Sequence, residues 1–590
     1  MAFTDMQSFM RVLEARGLLK RVTIPVNAEL EVTEITTRLV RDGGPAVLFE
    51  NVDGASYPLV VNLLGTMERI EIGLGRHPEE IGEGLITFLE DVNPPSVSSI
   101  WRNRRSALNL LNVRPGLALS SRVQQVTDES PDLSQMPILK CWPDDGGRFI
   151  TLPLVRTRDP ATGAHNMGMY RMQVYDRSTT GMHMQIQKGG AFHHVDAERE
   201  SKPLDIAVAL GGDPALILSA IIPLPEGIDE AGFAGVMRGR ATPMTKAKTV
   251  DVRVPAHAEF VIEGQLQPGE RRLEGPFGDH FGHYSGAADF PVFRVKAITR
   301  KRNPVYPATV VGKPPQEDRA LGDGAQLATK PLIRLMRKEV RDMWSYYESG
   351  FHNLLVVSVD SRYSREQMKT AFGILGEGQL SLTKVMVLVN AQTDPSNIKS
   401  VARAISRNFR VESDFRLLAR TAQDTLDFTG DAFQHGSKMI LDATGYGHEP
   451  ERIDGAQLRF DPTSLSSAIV KHRLLCDNIL VMQVKSGYPE TRKLLERTVN
   501  DPRARTLKAA VLVSDDVDID DNVELIWGIF TRFDCALDMV FTEQRFAGIT
   551  PIYSGVMGID ATWKPGYQKP LEMDPSIVRL VDRKWAEYWQ

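Results

Sequence analysis

Three short clusters gather the residue types that do acid–base and metal chemistry. The run Asn166-Met-Gly-Met-Tyr-Arg171 sets an amide oxygen and a guanidinium five residues apart. In an extended strand an odd spacing sends two side chains to opposite faces, so each can serve a different ligand. Pro225-Glu226-Gly227 fixes a carboxylate between two residues that restrict the backbone, and Glu274-Gly-Pro-Phe-Gly-Asp279-His280 separates two carboxylates by a turn. Acids that face one cavity push each other's pKa values apart, and an arginine beside one of them keeps that one ionised. Such a pair supplies a general acid and a fixed anion. Taken singly, each cluster has a plainer reading: a turn asparagine, a surface arginine, a solvated loop glutamate.

These clusters need a scaffold. Thr4 or Asp5 can cap a first helix whose apolar residues Met6, Phe9, Met10 and Leu13 recur at helical spacing, with Gly17 as its stop. Strand-like runs at Val22 to Ile24, Ala46 to Phe49 and Leu59 to Val61 follow, and Pro94-Pro95 marks a linker. From about residue 150 to 310 the pattern turns to strands, as where Phe293, Val295 and Ala297 alternate with Arg294, Lys296 and Ile298. The clusters then lie in loops at strand ends, where chemistry usually sits. After residue 350 the sequence repeats itself. Asn353-Leu-Leu-Val-Val-Ser-Val is echoed by Asn478-Ile-Leu-Val-Met-Gln-Val, Lys384-Val-Met-Val-Leu-Val by Ala509-Ala-Val-Leu-Val, and Asp442-Ala-Thr by Asp560-Ala-Thr. The expected organisation is an N-terminal α/β domain over 1–110, a central β-rich domain over 111–330, a C-terminal α/β copy over 331–455, and a second copy with a terminal helix over 456–590. A chain of 590 residues is too long for one hydrophobic core.

A net charge of -5 and a pI near 6.2 create no field that would gather nucleic acid or an anionic membrane. Cys141, Cys476 and Cys535 match no metal or redox spacing and read as core thiols in a reducing compartment. The first residues carry no basic start with an apolar run, and no later stretch has the roughly eighteen apolar residues of a membrane span. The expectation is a cytoplasmic chain that is not an integral membrane protein.

Together, the string Asn166 to Arg171 with Glu226, Glu274 and Asp279 resembles the UbiD family of decarboxylases, whose active site is an arginine with two acidic residues. The likeness extends through Gly211-Gly-Asp-Pro, Gly312-Lys-Pro-Pro-Gln-Glu-Asp and Phe351-His-Asn to the terminal helix from Pro575 to Trp589, nearly the whole chain. It implies an α/β (α+β) fold with an N-terminal α/β segment, a central sheet-rich flavin-binding barrel and C-terminal α/β units in tandem. It also implies prenylated FMN, anchored through its phosphate by a divalent ion, Mn2+ or Mg2+, with K+ nearby. Neither GxGxxG nor a P-loop is present, and a metal-anchored phosphate needs neither.

Asn166 and Glu226 match two of the family's metal ligands, and their oxygens suit a hard cation. In Gln185-Ile-Gln187-Lys188-Gly-Gly, Gln187 stands where the family usually has histidine, so an amide oxygen replaces an imidazole. Met169, Tyr170, Arg171 and Lys188 complete the implied cofactor set. His183 would lie about 13 Å from Gln187 along a strand, too far to replace it at the same ion. By the same resemblance Arg171 fixes the substrate carboxylate and pairs with Glu274, while Asp279 protonates carbon after CO2 leaves. Asp279, facing an apolar flavin and ring, is expected to have its pKa raised. His280, His283 and Tyr284 read as packing, the pair His193-His194 as outside the site, and Lys384 as a strand-edge residue.

The implied activity is decarboxylation of an aromatic acid, of hydroxybenzoate or dihydroxynaphthoate type, through a covalent prenylated-FMN adduct. The longer bacterial forms suggest menaquinone biosynthesis, with ubiquinone-type substrates as an alternative and reversible carboxylation as another. A non-catalytic binding or assembly protein is the reading from a different class. The implied partners are a small aromatic carboxylic acid, a flavin prenyltransferase as cofactor supplier, and further copies of the chain in a homo-oligomer.

Overall fold

The computed structural model describes residues 3–93, 96–185, 188–224, 227–447, 449 and 460–590. The readings made at Pro94-Pro95, Gln187 and Pro225-Glu226 lie outside them. The chain forms two units, one from residues up to 332 together with 569–590, the other from 333–568.

The first unit opens with helix Met6–Ala15. Asp5 rather than Thr4 caps it, accepting from Ser8 N at 2.8 Å, and Met6, Phe9, Met10 and Leu13 form its buried stripe. Strands Leu19–Val22, Ala46–Phe49 and Leu59–Val61 then make a mixed sheet whose fourth strand is Tyr306–Pro307. The N-terminal and central segments therefore share a sheet. Helix Pro575–Lys584 belongs to this unit too: Arg38 meets Asp582 at 2.7 Å, while Lys584 Nζ and Tyr588 Oη both reach Glu31 Oε1 at 2.6 Å.

The functional clusters hang on one antiparallel sheet built from β1 (Pro153–Arg158), β2 (His165–Gly168), β3 (Thr179–Gly181), β4 (Leu204–Leu210), β5 (Phe260–Glu274) and β6 (Ala288–Arg300). Their order is β3-β6-β5-β4-β1-β2, and Val126–Asp128 pairs with the end of β6. Phe293, Val295 and Ala297 are buried while Arg294 and Lys296 are exposed, as the alternation predicts; Ile298 is buried too, just past a register shift that leaves Lys296 as the extra residue opposite Glu263 and Gly264. The expected barrel is not what forms. Among the described residues no sheet closes, because the edge strands β2 and β3 are short and lie at opposite ends of the order.

The second unit holds two five-stranded sheets. The first comprises β7 (Val340–Ser345), β8 (Leu354–Val359), β9 (Val385–Asn390), β10 (Phe415–Ala422) and β11 (His435–Ala443), in the order β7-β8-β9-β11-β10. The second comprises β12 (Ile469–Leu475), β13 (Ile479–Val484), β14 (Ala509–Ser514), β15 (Met539–Ala547) and β16 (Thr550–Ala561), in the order β12-β13-β14-β16-β15. The parallel and antiparallel pairings fall in the same places in both. β8 and β14 are buried along their whole length, as uninterrupted apolar strands covered on both faces should be. Asp442 and Asp560 each accept from the hydroxyl of the threonine two residues on, at 2.6 Å.

The two sheets are tied by reciprocal bonds: Asn353 Nδ2 donates to Phe530 O at 3.0 Å, and Asn478 Nδ2 to Ser406 O at 3.1 Å. Lys384 is not at a strand edge. It is fully buried, paired with Asp427 at 2.8 Å and donating to Phe533 O at 2.9 Å, because it precedes a central strand rather than an outer one. Cys141 and Cys535 are core thiols, and Cys476 is half-buried.

Candidate active site

Arg171 follows β2 in the chain, just before the short strand Met172–Gln173 that pairs with Phe149–Ile150. Glu274 is the last residue of β5. After Gly275-Pro276, a tight hairpin pairs Phe277–Gly278 with Tyr284–Ser285, and Asp279 sits in its turn. Asp145 braces this hairpin by accepting from Gly278 N at 2.7 Å, and from Cys141 N and Trp142 N at 3.0 and 2.9 Å. Burial pushes its carboxyl up to about 7 against those three bonds. Gly278 cannot carry a side chain, since a Cβ would lie 2.1 Å from Trp142.

The guanidinium of Arg171 is used on every nitrogen. Nε donates to Glu274 Oε1 at 3.2 Å, Nη1 to Asp279 Oδ2, and Nη2 to Ser285 Oγ at 3.0 Å, with the group 4.6 Å over the Phe277 ring. The three residues that the sequence nominated for catalysis thus meet. Glu274 is fully buried; its Oε1 lies 2.9 Å from His183 Nδ1, and its Oε2 and His183 Nε2 have no partner among the described residues. Burial opposes ionisation of Glu274, yet His183 and Arg171 hold its carboxyl below the ordinary range.

The expectation for Asp279 is overturned. Burial does push its carboxyl up, but Arg171, and then His280, outweigh it and hold the group well below the usual carboxylate range. The sequence paired Arg171 with Glu274 alone; the hairpin brings Asp279 to the same guanidinium. His280 is not mere packing, since its N and Nδ1 both lie 2.8 Å from Asp279 Oδ1. His183, judged only as a failed metal ligand, belongs to this cluster. Its one sequence signal was its place four residues before Gln187.

Asn166, on β2, meets other groups than Arg171 does: Tyr170 Oη and Glu230 rather than Glu274 and Asp279. Its amide oxygen lies 3.2 Å from Oε1 of Glu230, the first residue of helix Glu230–Arg238. That helix is pinned to the sheet by its cap Asp229, paired bidentately with Arg156 on β1 at 2.6 and 2.8 Å. Burial pushes the Glu230 carboxyl up to about 7, although Met167 N donates to it at 2.6 Å. Turned round, the amide donates to Glu230 Oε1 and its oxygen accepts from Met167 N and Gly190 N at 3.2 and 3.3 Å, so the contact closes without an ion. An amide oxygen and a carboxylate are the donor types that a hard divalent ion takes, so these residues match the implied metal in kind. Glu230 escaped the sequence reading because an acid in the first turn of a helix already has a reason to be there.

Gln187 and Glu226 lie outside the described residues. Tyr170 is buried, and its hydroxyl, pushed up to about 12 by burial, links Asn166 to Gly190 N at the head of helix Gly189–Arg199. Met169 is partly buried against the apolar core, and Lys188 immediately precedes the helix. His193 bonds Thr157 Oγ1 at 2.8 Å and His194 approaches Glu198 at 3.5 Å, so that pair stays apart from the site.

Residues 10–89, 118–314 and 320–443 with 451–561 match the N-terminal, Rift-related and C-terminal domains of 3-octaprenyl-4-hydroxybenzoate carboxy-lyase. A Chlamydia pneumoniae protein, named as part of a 4-hydroxybenzoate decarboxylase, is 36% identical over 96% of this chain and 95% of its own length. The solved vanillic acid decarboxylase of Sedimentibacter hydroxybenzoicus has a TM-score of 0.68 at 26% identity, covering 78% of this chain and 96% of that one. The UbiD-class enzyme HmfF from Pelotomaculum thermopropionicum, in complex with FMN, has a TM-score of 0.63 at 27% identity, covering 78% and 96%. An evolved dimeric form of it, in complex with prFMN, scores 0.62 at 25%, covering 77% and 98%. With all three domains matched, and with the arginine and its two acids brought together as that likeness requires, the chain belongs to the UbiD family of carboxy-lyases.

Proposed function

We propose that this protein removes CO2 from an aromatic carboxylic acid of hydroxybenzoate or dihydroxynaphthoate type, with prenylated FMN as its cofactor. The observation that carries the reading is the buried Arg171 shared between Glu274 and Asp279. To take a substrate carboxylate, the guanidinium must release one of its own. Glu274 is pinned by His183 and fully buried, whereas Asp279 sits in a hairpin turn, so Asp279 is the one released. Without the guanidinium, and facing an apolar ring, its carboxyl moves up and can hold the proton that carbon needs. Arg171 and Glu274 stay as the fixed pair that orients the substrate. When bound, the modified flavin supplies the acceptor for the electron pair that CO2 leaves behind.

Asn166 and Glu230, with Gln187 and Glu226 as further oxygen donors, would hold Mn2+ or Mg2+ at the cofactor phosphate, with K+ nearby. The head of helix Gly189–Arg199, which Lys188 precedes, is linked to Asn166 through Tyr170 Oη and Gly190 N. HmfF, with its FMN and prFMN complexes, supports the cofactor, and the named decarboxylases support hydroxylated benzoates as substrates. The shared strand order and the recurring Asp-Ala-Thr turn support tandem copies of one unit in residues 333–568. We place the chain in the cytoplasm as a homo-oligomer supplied by a flavin prenyltransferase and serving quinone biosynthesis; no described helix is long and apolar enough to cross a membrane. The same groups serve carboxylation in the reverse direction.

The test is co-expression with a flavin prenyltransferase, an absorbance spectrum of the purified protein, and CO2 release from 4-hydroxybenzoate, vanillate, 3,4-dihydroxybenzoate and a dihydroxynaphthoate. Release from at least one is expected. Protein that carries the modified flavin and acts on none of them overturns the reading.

A further inference from the structure

We propose that His280 carries protons from solvent to Asp279; this rests on the decarboxylase reading, in which Asp279 is the acid. Asp279 keeps 10% of its side chain accessible, against 26% for His280. One carboxylate oxygen is taken by Arg171, which does not give up protons in proteins. The other meets His280 twice, at N and Nδ1, each at 2.8 Å. Among the described residues, His280 is the one side chain hydrogen-bonded to Asp279 whose chemistry is that of a proton shuttle.

Charged groups that interact with the imidazole include Asp279 in its own turn and Asp318 in the first turn of helix Glu317–Thr329, while Phe281 packs edge-on at 5.2 Å. The cycle balances. Asp279 as the acid gives its proton to the carbon that has lost CO2; the imidazolium passes its Nδ1 proton to Asp279 Oδ1; the neutral ring regains a proton from solvent. One solvent proton enters for each C–H bond made, and no electrons pass between residues.

The experiment uses holoenzyme and whichever of the four acids named above the wild type turns over; turnover of none refutes the parent reading and this one with it. His280→Gln can keep a hydrogen bond to Asp279 but cannot relay a proton. Its cofactor spectrum and KM should stay normal while kcat falls about ten- to a hundredfold. The wild-type decline of kcat as pH rises through the imidazole range should vanish in the variant, and added imidazole should restore part of the rate. Unchanged kcat and pH profile, or a lower kcat indifferent to imidazole, overturns the relay. Asp279→Asn separates the two ideas: if it is inactive while His280→Gln is normal, only the relay fails, and if it is fully active, the acid assignment fails first.

Discussion

Replacing Arg171 by methionine should make stability depend on pH in a way the wild type does not. In the folded protein Arg171 compensates two buried carboxylates, both held below their ordinary range. Such groups contribute stability that is present above the unfolded value near pH 4 and is lost as pH falls further, through their folded values. Removing the guanidinium reverses the sign. With the guanidinium gone, burial is opposed at Glu274 by His183 and at Asp279 by His280; both carboxyls should move up, the folded state then binds protons that the unfolded state does not, and stability should rise as pH falls from 8 towards 5. His183 and His280, still bonded to the two acids, act in the same direction because each can take up a proton beside an uncompensated charge. Breaking a buried pair by removing one partner costs about 3–5 kcal/mol, and that is the loss expected at pH 8. Urea unfolding at pH 8, 6.5 and 5 measures it, provided the transition of the unit containing the site is resolved from the other. A loss below about 1 kcal/mol, or one equal at all three pH values, would falsify the electrostatic account.

Two further outcomes follow from the structure. Asn166→Ala and Glu230→Ala should each weaken Mn2+ binding by about tenfold or more, read by calorimetric titration; undiminished affinity in both would move the cation elsewhere. Asn353→Ala and Asn478→Ala should each destabilise the second unit by about 1–3 kcal/mol, because Phe530 O or Ser406 O loses its buried donor. Thermal scans that show no shift for either would mean the reciprocal bonds contribute nothing.

Local rules were readable where local physics decides. The first helix, the strands Ala46–Phe49 and Leu59–Val61, and the alternation in β6 follow from periodicity and capping. Three motifs recur in the sequence of residues 333–568, which holds two sheets of the same strand order. What the sequence could not convey was who stands next to whom. Arg171 and Asp279 are 108 residues apart, and nothing in either segment says that one guanidinium serves both acids. His183 reaches Glu274 across 91 residues, and Glu230 reaches Asn166 only because Arg156 and Asp229 hold a helix against the sheet. Barrel closure failed for a related reason: a run of strands gives their number and faces, while closure depends on edge lengths and tilt.

The position of the last helix governs how the molecule can be made. Residues 333–568 interrupt the first unit, which is finished only when 569–590 arrive. Glu31 is made early and becomes a buried carboxylate whose Oε1 is satisfied by Lys584 and Tyr588, near the other end of the chain. Until the ribosome releases those residues, Glu31 and the apolar face beneath Trp585 and Trp589 stay uncovered, although the rest of their unit has been synthesised. A chain cut short anywhere in the second unit therefore leaves Glu31 and an apolar face of the first open to solvent.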